Sequence, residues 1–335
     1  MQNRNVGLDF LRGLCMLYIV GFWHMFNYTE AFREYNNVFT HEFTAVVLGT
    51  FVFLSGYFIG AKEVALTKAS ILKFYKDRLL RIYPLYLIAV VLFAIFHLAN
   101  PSMSLRAGLL VSMLIKPAPH TLWFITMLIL FYAISPWLIY ASQTFKTSHL
   151  ALFYLLLIAG LVGCSHFVTV IDIRPAMYFP SFALGVYLAN NNFAPFKGIN
   201  KYFTLPLLAI SIGLAFYETS NYIVNTLLDI PIISLGSYLI FSAAQAFRVT
   251  SRKIRRSIAV LSYSSYCMYL FHRPIYTSLK DLYFPHAQHY QLAYLVLFCL
   301  PCILFLSFAI QKIYDLLLDA WSNRSGTPGG ATLLV

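Results

Sequence analysis

Charge is what this chain most conspicuously has little of. Only 11% of its 335 residues are Asp, Glu, Lys or Arg, against about 25% in soluble domains. Hydrophobic residues make up 60% and the mean hydropathy is +0.71, which excludes an ordinary soluble globule. Cysteine is scarce too: the five present mostly sit inside apolar runs, which excludes a secreted disulfide framework. Cys299-Leu-Pro-Cys302 has the spacing of a redox motif but lies in an apolar run, so it reads as two small apolar residues beside a proline. No small-residue cleavage site follows the first apolar run, so that run is expected to persist as a helix. No stretch outside the apolar runs is long enough to bury a core of its own. Repeats of the transporter kind are lacking. So are zinc-ligand spacing, a phosphate-cradling glycine loop and a serine-hydrolase elbow. No metal and no permanently bound cofactor is expected, and with no RNA- or DNA-binding motif no nucleic-acid partner either.

What the chain has instead is apolar runs of bilayer length. Ten are expected to span, at roughly 6–28, 43–61, 83–99, 120–142, 149–165, 176–190, 202–217, 227–247, 257–279 and 290–318. The fold class is therefore all-α, a polytopic membrane protein with about ten transmembrane helices. One transmembrane domain is expected over 1–320, with a flexible Gly-rich tail over 321–335. The formal charge of +12 reads as basic cytoplasmic loops. Segment 62–82 carries Lys62, Lys68, Lys73, Lys76, Arg78 and Arg81; segment 248–256 carries Arg248, Arg252, Lys253, Arg255 and Arg256; segment 191–201 carries Lys197 and Lys201. The alternating loops are poorer in basic residues. The positive-inside rule then puts both termini in the cytoplasm. Segment 67–82 reads as an amphipathic helix on the inner surface, and a second short helix is expected at 104–115.

The first apolar run, Val6 to Tyr28, holds Asp9, Arg12 and His24. Ionisable groups inside a span cost at least ~2.5 kcal/mol each near its centre, so they mark a functional site by default. Asp9 and Arg12 are three apart and can pair on one helical face. His24 lies about 18 Å further along the axis. A bland alternative is an interfacial ion pair with an interfacial histidine.

Five further patterns accompany this one. They are Phe53-Leu-Ser-Gly56-Tyr57; Arg78-Leu-Leu-Arg81-Ile-Tyr-Pro84; Leu122-Trp123-Phe124; Tyr266-Cys-Met-Tyr269-Leu-Phe-His272-Arg273-Pro274; and, more weakly, Tyr178-Phe-Pro180 through Gly185. In this order, on ten expected spans from about residue 6 to 315, they resemble the acyltransferase-3 family of integral membrane acyltransferases. The resemblance implies an enzyme that moves an acyl group, most often acetyl, from cytoplasmic acyl-CoA, the co-substrate, to a hydroxyl of a lipid-linked or surface glycan. It also implies a multi-pass location in a bacterial cytoplasmic membrane. A glycan or lipid exporter and a non-catalytic binding member of the fold are the alternatives.

The residue chemistry adds detail. Arg78 and Arg81 share a helical face and suit phosphates such as those of coenzyme A, with Arg12 meeting the same end from within the membrane; lipid phosphate is the competing partner. His24 and His272 are expected about 27 Å and about 22 Å above the inner starts of their spans. They are the catalytic candidates, with His24 as base and His272 or Arg273 orienting the acceptor or stabilising an oxyanion. Asp9, Trp123, Tyr269, Arg273 and Arg174 are the substrate-binding candidates. One departure stands out. Relatives usually have ten residues between the first-span arginine and histidine; here eleven separate Arg12 from His24. A regular helix would then place the two roughly 120° apart instead of about 20°. A π-bulge near Gly21 would absorb the extra residue.

Overall fold

The computed structural model describes residues 5–62, 64–191 and 200–324. Among them there are helices and no strand. In chain order the helices are α1 (Val6–Tyr18), α2 (Val38–Gly60), α3 (Lys68–Ile95), α4 (Pro101–Gly108), α5 (Trp123–Thr144), α6 (Thr147–Phe167), α7 (Arg174–Asn190), α8 (Asn200–Ala215), α9 (Tyr222–Ala246), α10 (Arg252–Leu282), α11 (Gln288–Tyr294) and α12 (Leu300–Arg324). Wide π turns follow α1 at Ile19–Trp23 and α11 at Leu295–Cys299. The basic residues of 191–201 lie wholly or in their side chains outside the described residues, as does the tail beyond 324.

Each of the ten expected spans coincides with a helix. Seven helical segments are long and apolar enough to cross a membrane, and Tyr202–Ala215 is a shorter apolar helix. α7 and α10 fall outside that set. α10 begins in the basic run Arg252 to Arg256, and α7 has only 17 residues.

Two local expectations change. The amphipathic segment 67–82 and the span after it form one helix, α3, which runs through Pro84. The hydropathy changes there but the backbone does not, because a proline within a span is tolerated when neighbours satisfy the groups it frees. The helix expected at 104–115 is shorter and earlier: Asn100 caps α4 by accepting the Met103 N–H at 2.8 Å, and Leu110 turns the chain at φ 62°. The last carbonyls of α4 are taken by α3: Tyr83 Oη donates to Gly108 O at 2.8 Å and Tyr86 Oη to Ala107 O at 3.2 Å.

The chain divides into two compact units, Met1–Tyr35 with Ala244–Val335, and Asn36–Ala243. In the first, α1 lies along α10. Asp9 accepts a hydrogen bond from Ser262 Oγ at 2.8 Å, and His24 meets His272 further along, so the two helices run parallel. In the second, α2 and α7 pack almost backbone to backbone. A Cβ on Gly56 would lie 2.2 Å from Phe182 O, and one on Gly185 would lie 2.2 Å from Phe53 O. Ser55-Gly56 thus serves helix approach, as small residues do inside membranes.

Gly56→Ala is expected to destabilise the second unit by about 1–3 kcal/mol, the usual cost of overpacking. Gly160→Ala, whose added carbon would meet nothing within 4 Å, should be neutral. Thermal midpoints in detergent compare the two.

Candidate active site

The site is built from one helix that overruns by a residue and one that does not. After Tyr18, the chain widens into the π turn Ile19–Trp23, and His24 N–H donates to Ile19 O at 2.9 Å, five residues back. The expected wide turn is therefore present, with Gly21 inside it. Gly21 faces Leu300, whose Cδ2 would lie 3.0 Å from an added Cβ. The surplus residue is absorbed, and His24 is directed at α10.

There its Nδ1 lies 2.8 Å from His272 Nε2. The ring planes are 4° apart with centroids at 4.8 Å. A nitrogen–nitrogen distance so much shorter than the centroid distance means the rings meet edge to edge. His272 is fully buried, whereas His24 is half-buried. The backbone fixes the tautomers. His272 Nδ1 sits 3.0 Å from Met268 O and 2.9 Å from Tyr269 O. Carbonyls only accept, so Nδ1 carries the proton and His272 Nε2 presents its lone pair to His24. The hydrogen in the ring-to-ring bond then belongs to His24 Nδ1. His24 Nε2 keeps a lone pair, and a proton arriving there yields an imidazolium steadied by His272. This is the arrangement of a general base with an orienting partner.

The other first-unit candidates gather at the same two helices. Tyr269 is buried, with its ring 6.2 Å from that of His272. The Arg273 carbonyl accepts from Tyr28 Oη at 3.4 Å, and its guanidinium lies within electrostatic reach of Tyr28, Tyr269 and Tyr35. Tyr263, in line with Tyr269 in the sequence, turns elsewhere and donates to Asp315, which also accepts from Gln311 Nε2 at 3.0 Å. Residues three apart drift about 60° around a helix, so a run of tyrosines does not hold one face. Asp9 and Arg12 are half-buried on α1, well before the π turn.

In the second unit, Arg78 stands over two rings, with Cζ 5.9 Å from Phe74 and 5.8 Å from Tyr132. Arg81 is half-buried one turn on. Lys62 joins them. Although exposed over much of its surface, its ammonium is lowered to about 8, by burial of its end first and then by the charges of Arg78 and Arg81, with Asp77 partly offsetting. Three cations held within reach of one another make this a candidate anion site. Lys62 was legible only as one of many loop charges.

Trp123 and Arg174 also come together: the Arg174 guanidinium lies 4.1 Å from the Trp123 ring, and Tyr178 is 6.1 Å from it on the ring centroids. Arg174 is simultaneously clamped by Asp172, with Nε donating to Oδ1 at 2.9 Å and Nη2 to Oδ2 at 2.5 Å. Burial alone would raise the Asp172 carboxyl, but the hydrogen bonds and charge of Arg174 outweigh it and hold the group below its ordinary value. Sequence reasoning passed over a further acidic pair. Glu42 Oε2 is buried without a hydrogen-bond partner, its Oε1 is 3.6 Å from His41 Nδ1, and Asp229 of α9 lies within electrostatic reach. An acid within an apolar helix was the available signal. Among the described residues no three His, Cys, Asp or Glu side chains converge as metal ligands.

A family model described as an acyltransferase domain matches residues 5–312, nearly the whole chain. The chain belongs to the acyltransferase-3 family. No curated protein and no solved structure matches it significantly. This member of the family is thus a multi-pass membrane protein, and the matched domain includes both His24 and His272.

The Asp172–Arg174 clamp has a pH signature. Its folded carboxyl value is lowered, so its stabilising contribution is present above the ordinary value of 3.8 and is lost as pH falls through the lower folded value. Asp172→Asn is expected to lose on the order of 1–3 kcal/mol at pH 7 and to show a shallower further loss below about pH 4. Thermal midpoints across pH 3–7 measure both.

Proposed function

We propose that this acyltransferase-3 protein moves an acyl group, acetyl first among them, from cytoplasmic acyl-CoA to a hydroxyl of a lipid-linked or surface glycan. The location proposed is the cytoplasmic membrane of a bacterium, with both termini inside. The observation that carries the reading is the His24–His272 pair, whose tautomers leave a lone pair on His24 Nε2.

In this proposal His24 Nε2 takes the proton of the acceptor hydroxyl as its oxygen attacks the thioester carbonyl. The tetrahedral intermediate collapses: the new C–O bond stays, the C–S bond breaks, and the proton on His24 passes to the departing thiolate. His272, buried away from substrate, keeps His24 oriented and stabilises its charged form. Arg273, with Tyr269 close by, supplies positive charge for the oxyanion or orients the acceptor. Arg78 and Arg81, with Lys62 beside them, bind phosphates of coenzyme A, and Arg12 is a further candidate for the same ligand. Asp9 holds the inner part of α1 through Ser262, and Trp123 with Arg174 offers an aromatic and cationic surface to the acceptor. The π turn at Ile19–Trp23 supports this reading, because it gives the eleventh residue between Arg12 and His24 a place.

Incubating the purified protein with labelled acetyl-CoA and hydroxyl-bearing glycans tests this directly. His24→Ala is expected to lower kcat by about 10²- to 10⁴-fold, the usual range for a general base. Glycan movement across a vesicle without acylation would instead identify an exporter. Phosphate binding has its own readout. A bound anion restores the proton that Lys62 sheds near pH 8, so coenzyme A should bind with net proton uptake at that pH. Calorimetry in buffers of differing ionisation heat should detect this uptake, and Lys62→Gln should abolish it.

A further inference from the structure

A regular α-helix pairs each N–H with the carbonyl four residues earlier. In the π turn His24 N–H goes to Ile19 O instead, at 2.9 Å. The Val20 carbonyl therefore loses the donor that a regular turn would give it. Val20 is fully buried, and a buried carbonyl without a donor is costly where no water reaches. Tyr276 supplies the donor: its Oη lies 3.3 Å from Val20 O.

Tyr276 is itself completely buried and stands one turn beyond His272 on α10. Residues four apart share a helical face, and the Tyr276 ring meets the His272 ring edge-on at 6.4 Å. It packs on Tyr28 as well, at 4.9 Å. One side chain thus flanks one histidine of the pair and holds the turn that carries the other. Any large apolar group could fill this volume. Only a hydroxyl can satisfy the carbonyl that the surplus residue sets loose.

We infer that Tyr276 is a positioning residue for the acyl transfer, capturing the Val20 carbonyl so that the widened turn presents His24 Nδ1 to His272 Nε2. This rests on the reading of His24 as the base. It also ties two features together: a first span with one residue too many, and a tyrosine four positions after the second histidine. Phenylalanine at 276 keeps the ring contacts and removes the hydroxyl alone. Deleting Val20 removes the surplus residue, restores a regular helical turn, and with it the need for the hydroxyl.

The test uses the purified full-length protein, Tyr276→Phe, a chain lacking Val20, and the combination of the two. Tyr276→Phe is expected to lower kcat for acetyl transfer about ten-fold, the effect of one lost hydrogen bond, with KM for acetyl-CoA unchanged. In ¹⁵N-histidine NMR it should lose the signature of the ring-to-ring hydrogen bond. In the chain lacking Val20 the same substitution should change kcat less than two-fold. Unchanged kcat and a retained NMR signature in Tyr276→Phe overturn the inference, as does equal loss in both backgrounds, which would make Tyr276 ordinary packing. Where the shortened chain fails to fold, the full-length comparison decides alone. His24→Ala in the same assay separates the two failures: transfer that survives it removes the base, whereas loss with His24→Ala but not with Tyr276→Phe removes only the role of Tyr276.

Discussion

Inside a bilayer every backbone N–H and C=O must find its partner within the protein, and the features that matter here are solutions to that demand. The Val20 carbonyl, deprived of its usual donor by the wide turn, accepts from Tyr276. The Met268 and Tyr269 carbonyls accept from His272 and thereby decide which of its nitrogens carries the proton. In both cases a side chain completes the main chain beside the histidine pair.

The candidate groups are divided between the two compact units. The first holds the imidazole pair and the buried surroundings of Arg273. The second holds the cations Lys62, Arg78 and Arg81 and the aromatic and ionic grouping of Trp123, Arg174 and Asp172. In the proposed transfer the tautomer of His272 matters, and its burial with the Met268 and Tyr269 carbonyls on Nδ1 fixes it. In the proposed anion site the cations are held together at some cost, and Lys62 is lowered by burial and then by the charges of Arg78 and Arg81.

How much of this was legible beforehand varied with the kind of signal. The ten helical segments, the ionisable residues of the first span and the similar depth of His24 and His272 followed from hydropathy, membrane cost and helix rise; the direct bond between the two rings did not. The wide turn near Gly21 followed as well, because a miscounted spacing has few structural remedies. The unbroken course of α3 through Pro84 did not, since a change from basic to apolar sequence mimics a helix end. Tyr276 escaped because nothing in one sequence says that a carbonyl at position 20 will be orphaned. Lys62 and the Glu42–Asp229 pair escaped because their meaning lies in neighbours distant along the chain. The second wide turn, at Leu295–Cys299, is followed by Pro301, which has no N–H to give and whose ring crowds the turn before it.

The hydrogen bond from Tyr276 to Val20 also bears on how such chains are recognised in genomes. A search pattern that insists on a set interval between the first-span arginine and histidine rejects this protein at the outset. An alignment that opens a one-residue gap within positions 19–23 accepts it, and the tyrosine four places after the second histidine then becomes the diagnostic letter. Members with the longer interval should carry a hydroxyl-bearing side chain there, while members with the shorter one are released to vary.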